Sequence, residues 1–192
     1  MKKFLLCLVF FAAFMPAIFA DDFESDYNDS EKVFAVVPGL RLSILGLEPT
    51  IGINFHNLET ELGVAISTGL TGNGFGIAPN LSVGYCTNPF DKGISATFGA
   101  EYFLLTSSYI NLLNKISDDD DYDYEVPAIH AVSLYYKGVF NFNKTFGLLW
   151  RVRLPLVMAG GGHSFNITNT QGALVCGLIG FCTISVGVKF SI

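Results

Sequence analysis

The sequence predicts an all-β chain whose eight antiparallel strands close into a transmembrane β-barrel, on three observations. Apolar residues recur at every second position along most of the chain, the connections alternate between short and long, and the polar face of the strands is too poor in charge to meet solvent.

Period two is clearest at the C-terminus, where Ile184, Val186, Val188, Phe190 and Ile192 share one face and Thr183, Ser185, Gly187, Lys189 and Ser191 share the other. Residues 146–158 repeat it, with Phe146, Leu148, Trp150, Val152, Leu154, Leu156 and Met158 opposite Gly147, Arg151 and Arg153. Residues 132–142 set Leu134, Tyr136, Phe140 and Phe142 against Ser133, Lys137 and Asn141. Residues 94–104, 75–85 and 58–68 alternate likewise, the last with Glu59, Glu61, Gly63 and Ser67 on its polar side. Two weaker segments, 34–44 and 49–55, complete eight. Outside the first twenty residues no window carries a clear amphipathic helical period, and no repeat of solenoid length is present.

The joins near Asn57, at 87–93 and at 143–145 are short, and those at 69–74, 107–127 and 160–172 are longer. A tight first join at 46–48 departs from this pattern. Short turns at one rim and long loops at the other are how outer-membrane barrels are built, and an even strand count leaves both ends of the wall on the short-turn side.

Alternation alone does not tell outside from inside, so the chemistry of each face decides. A soluble barrel needs a solvent face rich in lysine, glutamate and threonine, whereas the polar face here is mostly Gly, Ser, Asn and Ala. Small residues suit the crowded interior of a narrow barrel, and the large aromatic face suits lipid. The charges of mid-strand positions, Arg41, Glu61, Glu101, Lys137, Arg151, Arg153 and Lys189, all fall on the polar side. Enclosed together they must form a mixed-sign, hydrogen-bonded network. Phe34, Phe55, Tyr85, Phe142, Phe146 and Phe190 sit on the apolar face near the short-turn rim, as an interfacial girdle would, with Phe75 and Tyr102 as thinner counterparts at the other rim. Residues 173–188 are apolar enough to suggest a spanning helix instead, but the alternating pairs that follow and Lys189 favour a strand.

Lys2 and Lys3, an apolar run through Phe14, Pro16 and a small-residue end at Ala20 have the layout of a secretory signal peptide, cleaved after Ala20. Residues 1–20 are therefore expected to be the signal, and residues 21–192 one barrel domain opening on an acidic segment, 21–32. Without Lys2 and Lys3 the formal net charge moves from −6 to −8, which disfavours nucleic acid as a partner. Cys86, Cys176 and Cys182 make an odd count for an exported chain, and no tidy disulfide framework follows.

Asp118, Asp119, Asp120, Asp121, Asp123 and Glu125 crowd the longest loop but lack the glycine and ligand spacing of a calcium loop. They read as a solvated acidic loop. His163 and Ser164 offer a base beside a nucleophile, yet adjacent strand residues point to opposite faces and no carboxylate neighbours them. His56 and His130 have no metal-ligand spacing, and residues 166–168 match a glycosylation sequon by pattern alone. No catalytic, cofactor or metal site is expected.

The closing strand, through Ile184, Val186, Val188, Phe190 and Ile192, resembles the C-terminal strand of bacterial outer-membrane proteins, although those usually end in phenylalanine. With the signal peptide and eight strands, the whole mature chain resembles the small barrels of the OmpA transmembrane-domain, OmpX and OmpW type. The resemblance implies a place in the bacterial outer membrane, lipid around the wall, and recognition by the barrel-assembly machinery. Because the residues offer no catalytic constellation, the expected role is structural or surface-interacting and not enzymatic, with loops 107–127 and 160–172 as the surface for an external partner. A narrow, porin-like channel for small or hydrophobic solutes and a soluble periplasmic ligand-binding barrel are the alternatives.

Overall fold

The computed structural model describes residues 34–43, 46–67, 75–87, 89, 93–116, 127–143 and 145–192. The expected signal peptide, the acidic segment 21–32 and the acidic loop 118–125 lie outside these. The order is β1 (Phe34–Ser43), β2 (Gly46–Phe55), β3 (Leu58–Ser67), β4 (Gly76–Thr87), β5 (Gly93–Leu105), α1 (Ser107–Ile116), β6 (Ile129–Asn141), β7 (Phe146–Gly160), β8 (His163–Asn166), α2 (Thr170–Cys182) and β9 (Ser185–Phe190).

Each strand from β1 to β7 pairs antiparallel with the next, and β9 enters between β7 and β1. The wall is thus a closed eight-stranded antiparallel barrel made of β1 to β7 and β9, and β8 is a four-residue arm on the far end of β7. Closure continues past β9. Ile192 N–H donates to Val36 O at 2.9 Å and Val36 N–H to Ile192 O at 3.2 Å, while Ser191 N–H donates to Thr145 O at 2.7 Å. No open edge remains on that side.

The short turns follow from local chemistry. His56 and Asn57 join β2 to β3, and His56 adopts φ 50°, the left-handed conformation that a two-residue hairpin demands. Between β6 and β7 the Asn143 side chain accepts hydrogen bonds from the backbone N–H groups of Thr145 and Phe146, at 2.9 and 2.7 Å. Gly46 opens β2 at φ 137°, where an added Cβ would lie 2.2 Å from Ile66 O. Residues 46–48, expected in a tight join, are strand, and Glu48 turns inward from β2.

Two further expectations change. Alternation puts Met158 on the outer face of its strand, but it is 1 % exposed inside the barrel. Ser133 pairs with Pro155 and Val132 with Val157, so Leu156 is an extra residue and the alternation inverts beyond it. Pro155 has no N–H to give the ladder, which makes this a tolerable place for the irregularity.

The second change concerns residues 173–182, read as strand, which are helix. Asn169 caps it, its side chain accepting from Gly172 N–H. Thirteen residues rise only about 20 Å, short of a bilayer's hydrocarbon core of about 30 Å, so α2 does not span. Pairing of β9 with β7 ends at Ser185 and Arg151, while β7 runs on to Gly160, and α2 packs against that extension. Its inner face is Gly172, Cys176 and Gly180, spaced by four. A Cβ on Gly180 would come 2.7 Å from Arg153 O, and one on Gly172 would come 2.1 Å from Asn166 O. Small residues therefore let the helix axis approach the strand closely, and Leu174, Leu178 and Phe181 face outward in line with the wall.

The first helix, also unexpected, folds over the same rim. Thr106 starts it, its hydroxyl donating to Ile77 O and accepting from Tyr109 N–H. Tyr109 lies on Gly76, where a Cβ would be 2.6 Å from the tyrosine Cα. Tyr109, Ile110, Cys176, Met158, Phe103 and Leu105 close over Ala65, Ala78 and Ala131 as an apolar plug across the long-loop end of the lumen.

Candidate functional site

The nine charged residues that the described strands carry, Arg41, Glu48, Glu59, Glu61, Glu101, Lys137, Arg151, Arg153 and Lys189, are all buried in the lumen. Beneath the plug six of them alternate in sign around a closed circuit. Glu48 bonds Arg41 at 2.6 Å, Arg41 bonds Glu61 at 2.7 Å, and Glu61 bonds Arg151 at 2.6 Å. Arg151 meets Glu101 at 3.1 Å, Glu101 meets Arg153 at 2.7 Å, and Arg153 returns to Glu48 at 3.0 Å. The circuit draws on β1, β2, β3, β5 and β7, and so ties together staves that share no backbone ladder. Lys137 on β6 joins it as an arm, 3.3 Å from Glu61 and in contact with Glu59, whose other oxygen accepts from Thr97 Oγ1 at 3.3 Å.

Local sequence makes room for this. Gly63 faces Asn80 and Glu48, with a notional Cβ 2.8 Å from the Oδ1 of one and the Oε1 of the other, and Asn80 Nδ2 donates to that carboxylate. Tyr135 crosses the lumen toward Gly84, whose Cβ would meet the phenol oxygen at 2.5 Å. The Arg151 guanidinium stacks 3.9 Å above the Tyr135 ring. Every ion in the circuit has opposite charge on two sides, which is the condition for holding charge away from water.

Glu48 and Glu59 lie outside the set of lumen charges that the sequence predicts. Glu59 stands on the polar face with Glu61, a signal sufficient to include it; Glu48 is hidden when residues 46–48 are taken for a turn. Lys189, which belongs to the predicted set, lies in the lumen but apart from the circuit.

On the outside, Phe34, Phe55, Tyr85, Phe142 and Phe190 are 56, 51, 62, 43 and 44 % exposed, and Phe146 is half-buried among them. Phe34 opposes Phe55 in register, and the Phe146 ring lies 5.6 Å from Phe142 and 5.5 Å from Phe190. These form an aromatic band at the short-turn rim. Phe75 and Tyr102 lie toward the other rim, where Tyr102 OH and His130 Nδ1 share a 2.5 Å hydrogen bond. Of the closing strand, Val186, Phe190 and Ile192 are exposed and Ile184 and Val188 partly so.

His163 and Ser164 are exposed on the β8 arm, and among the described residues neither hydrogen-bonds the other or a carboxylate. No three His, Cys, Asp or Glu residues cluster as metal ligands among the described residues. Cys86 and Cys176 are buried free thiols; burial also raises the Cys176 thiol and pushes the Tyr109 phenol well above its ordinary range.

No protein-family model matches this chain, and no curated protein matches it. Among solved structures it is similar to a major outer membrane protein from Thermus thermophilus, at 15 % identity and a TM-score of 0.35, over 83 % of this chain and 98 % of that one.

Proposed function

We propose that the chain is a bacterial outer-membrane β-barrel with a structural or surface-interaction role, and that its lumen does not conduct. The observation that carries this is the outer face of the wall. All nine charges of the described strands point inward, and outward positions from Leu40 and Ile51 through Leu62, Leu81, Phe98 and Leu148 form one continuous apolar belt. Soluble monomers rarely expose a contiguous apolar patch beyond a few hundred Å², and a closed wall coated this way matches a hydrocarbon solvent. The short-turn rim then faces the periplasm. The long-loop rim, with the β7–β8 arm, faces outward as the surface a partner would meet.

A closed lumen supports the non-conducting role. An eight-stranded barrel encloses just enough space for its own side chains, and here an ionic circuit and an apolar plug fill it in series. Water would have to displace paired charges and then apolar contacts to pass. In planar lipid bilayers the purified full-length protein is expected to insert without discrete conductance steps. Reproducible steps that scale with protein would overturn the sealed-lumen reading and favour the narrow channel.

A further inference from the structure

On one flank of the barrel the wall is not completed by a strand. Pairing of β9 with β1 and with β7 stops at Ser185, opposite Ser43 and Arg151, and β8 takes up the edge of β7 only from Val157. Between these points the edge of β7 meets α2, whose Gly180 stands against Arg153 and Pro155. β7 and β8 are the principal packing neighbours of the helix. Among the described residues no backbone hydrogen bond joins Thr170–Cys182 to a strand of the wall; the bond from Ile167 N–H to Leu156 O, at 3.0 Å, precedes the helix.

The chemistry of this contact lets it separate without losing hydrogen bonds. A Cβ on Gly180 would lie 3.4 Å from Pro155 Cδ, so the proline ring stands toward the helix where another residue would present an N–H. A helix keeps its N–H and C=O groups paired within itself, whereas a strand that left a wall in lipid would expose a row of unpaired ones. The inner face of α2 adds no polar side chain. Cys176 is fully buried against the plug that holds Met158 and Tyr109, with Val175 and Ile179 packed beside it. Leu174, Leu178 and Phe181 already face outward. Lifted from β7, the helix therefore still presents apolar surface to hydrocarbon.

We propose that α2 is a side gate of the barrel: it lifts from β7 toward the bilayer while all eight strands stay paired, and brings the apolar plug into contact with hydrocarbon. The ionic circuit beneath the plug stays closed, so the movement carries no current. The gate presupposes a wall that faces lipid.

The test uses the full-length protein folded into phosphatidylcholine vesicles and treated with N-ethylmaleimide, an uncharged thiol reagent that crosses bilayers. Modification of Cys176 and of Cys86 is read separately by peptide mass spectrometry, and unboiled gel mobility reports the folded fraction. In the wild type Cys176 is expected to react while the barrel keeps its folded mobility. Gly180→Ala, which sets a methyl 2.7 Å from Arg153 O, should raise that rate by about tenfold or more, because overpacking weakens the seated helix. Gly177→Ala, on the same helix with open space at its Cβ, should change it by less than about twofold, and Cys86 should react at one rate in all three proteins. Cys176 that reacts only as fast as the barrel unfolds, a Gly180→Ala effect shared by Cys86, or equal effects of the two alanines each overturn the gate. If Gly180→Ala does not fold, wild-type Cys176 modification set against the unfolding rate decides the matter. Protein that does not enter vesicles overturns the lipid-facing wall together with the gate, whereas insertion with Cys176 protected overturns the gate alone.

Discussion

Replacing Glu61 with alanine is expected to lower the unfolding free energy of the barrel by about 3–5 kcal/mol, the usual cost of stripping one partner from a buried ion pair. Glu61 is the branch point of the lumen, touching Arg41 at 2.7 Å, Arg151 at 2.6 Å and Lys137 at 3.3 Å. Its loss leaves three enclosed cations short of negative charge, with the apolar plug closing the long-loop end above them. Thr60→Ala, one position away on the outer side, should change stability by no more than about 0.5 kcal/mol. Urea unfolding in detergent, followed by the fraction of heat-modifiable protein, measures both. An equal effect for the two variants would mean that the circuit does not hold the staves together.

The second large effect lies on the outer face and depends on the solvent. Leu62 is 51 % exposed near the middle of β3, with Ile51 and Leu81 as its register partners on either side. Leu62→Arg is expected to destabilise the barrel folded in phospholipid bilayers by about 2–4 kcal/mol, the cost of a guanidinium on a barrel's lipid face near the midplane. If water met that face, the same change would be an ordinary surface substitution worth about 0.5 kcal/mol or less. Reversible folding into vesicles gives the difference directly, and a near-zero value in lipid would contradict the placement of Leu62 against hydrocarbon.

Strands and faces are legible in the sequence because alternation is a local property. A single parity assigns Arg41, Glu61, Glu101, Lys137, Arg151, Arg153 and Lys189 to one side, and the barrel encloses that side. Parity fails where an extra residue enters, so Met158 is misplaced beyond the irregularity at Leu156. The helix α2 escapes notice because it is apolar on every side, and amphipathic periodicity detects only helices with two unlike faces. Its signals are Asn169 as a cap and small residues at 172, 176 and 180, which mark close packing and not amphipathicity. Which lumen charges touch depends on strand stagger. Alternation does not encode stagger, so neither the closed circuit nor the place of Lys189 apart from it can be read from the chain.

The central claim is that this eight-stranded wall is built to face lipid, and heat-modifiable electrophoretic mobility tests it most directly. The full-length protein, expressed in a Gram-negative host and fractionated, is run on gels with and without boiling. The account predicts recovery in the outer-membrane fraction and a clear mobility shift, because a closed, ion-tied barrel resists detergent until heated. Recovery as a soluble, β-rich protein whose mobility is the same boiled or unboiled would contradict it.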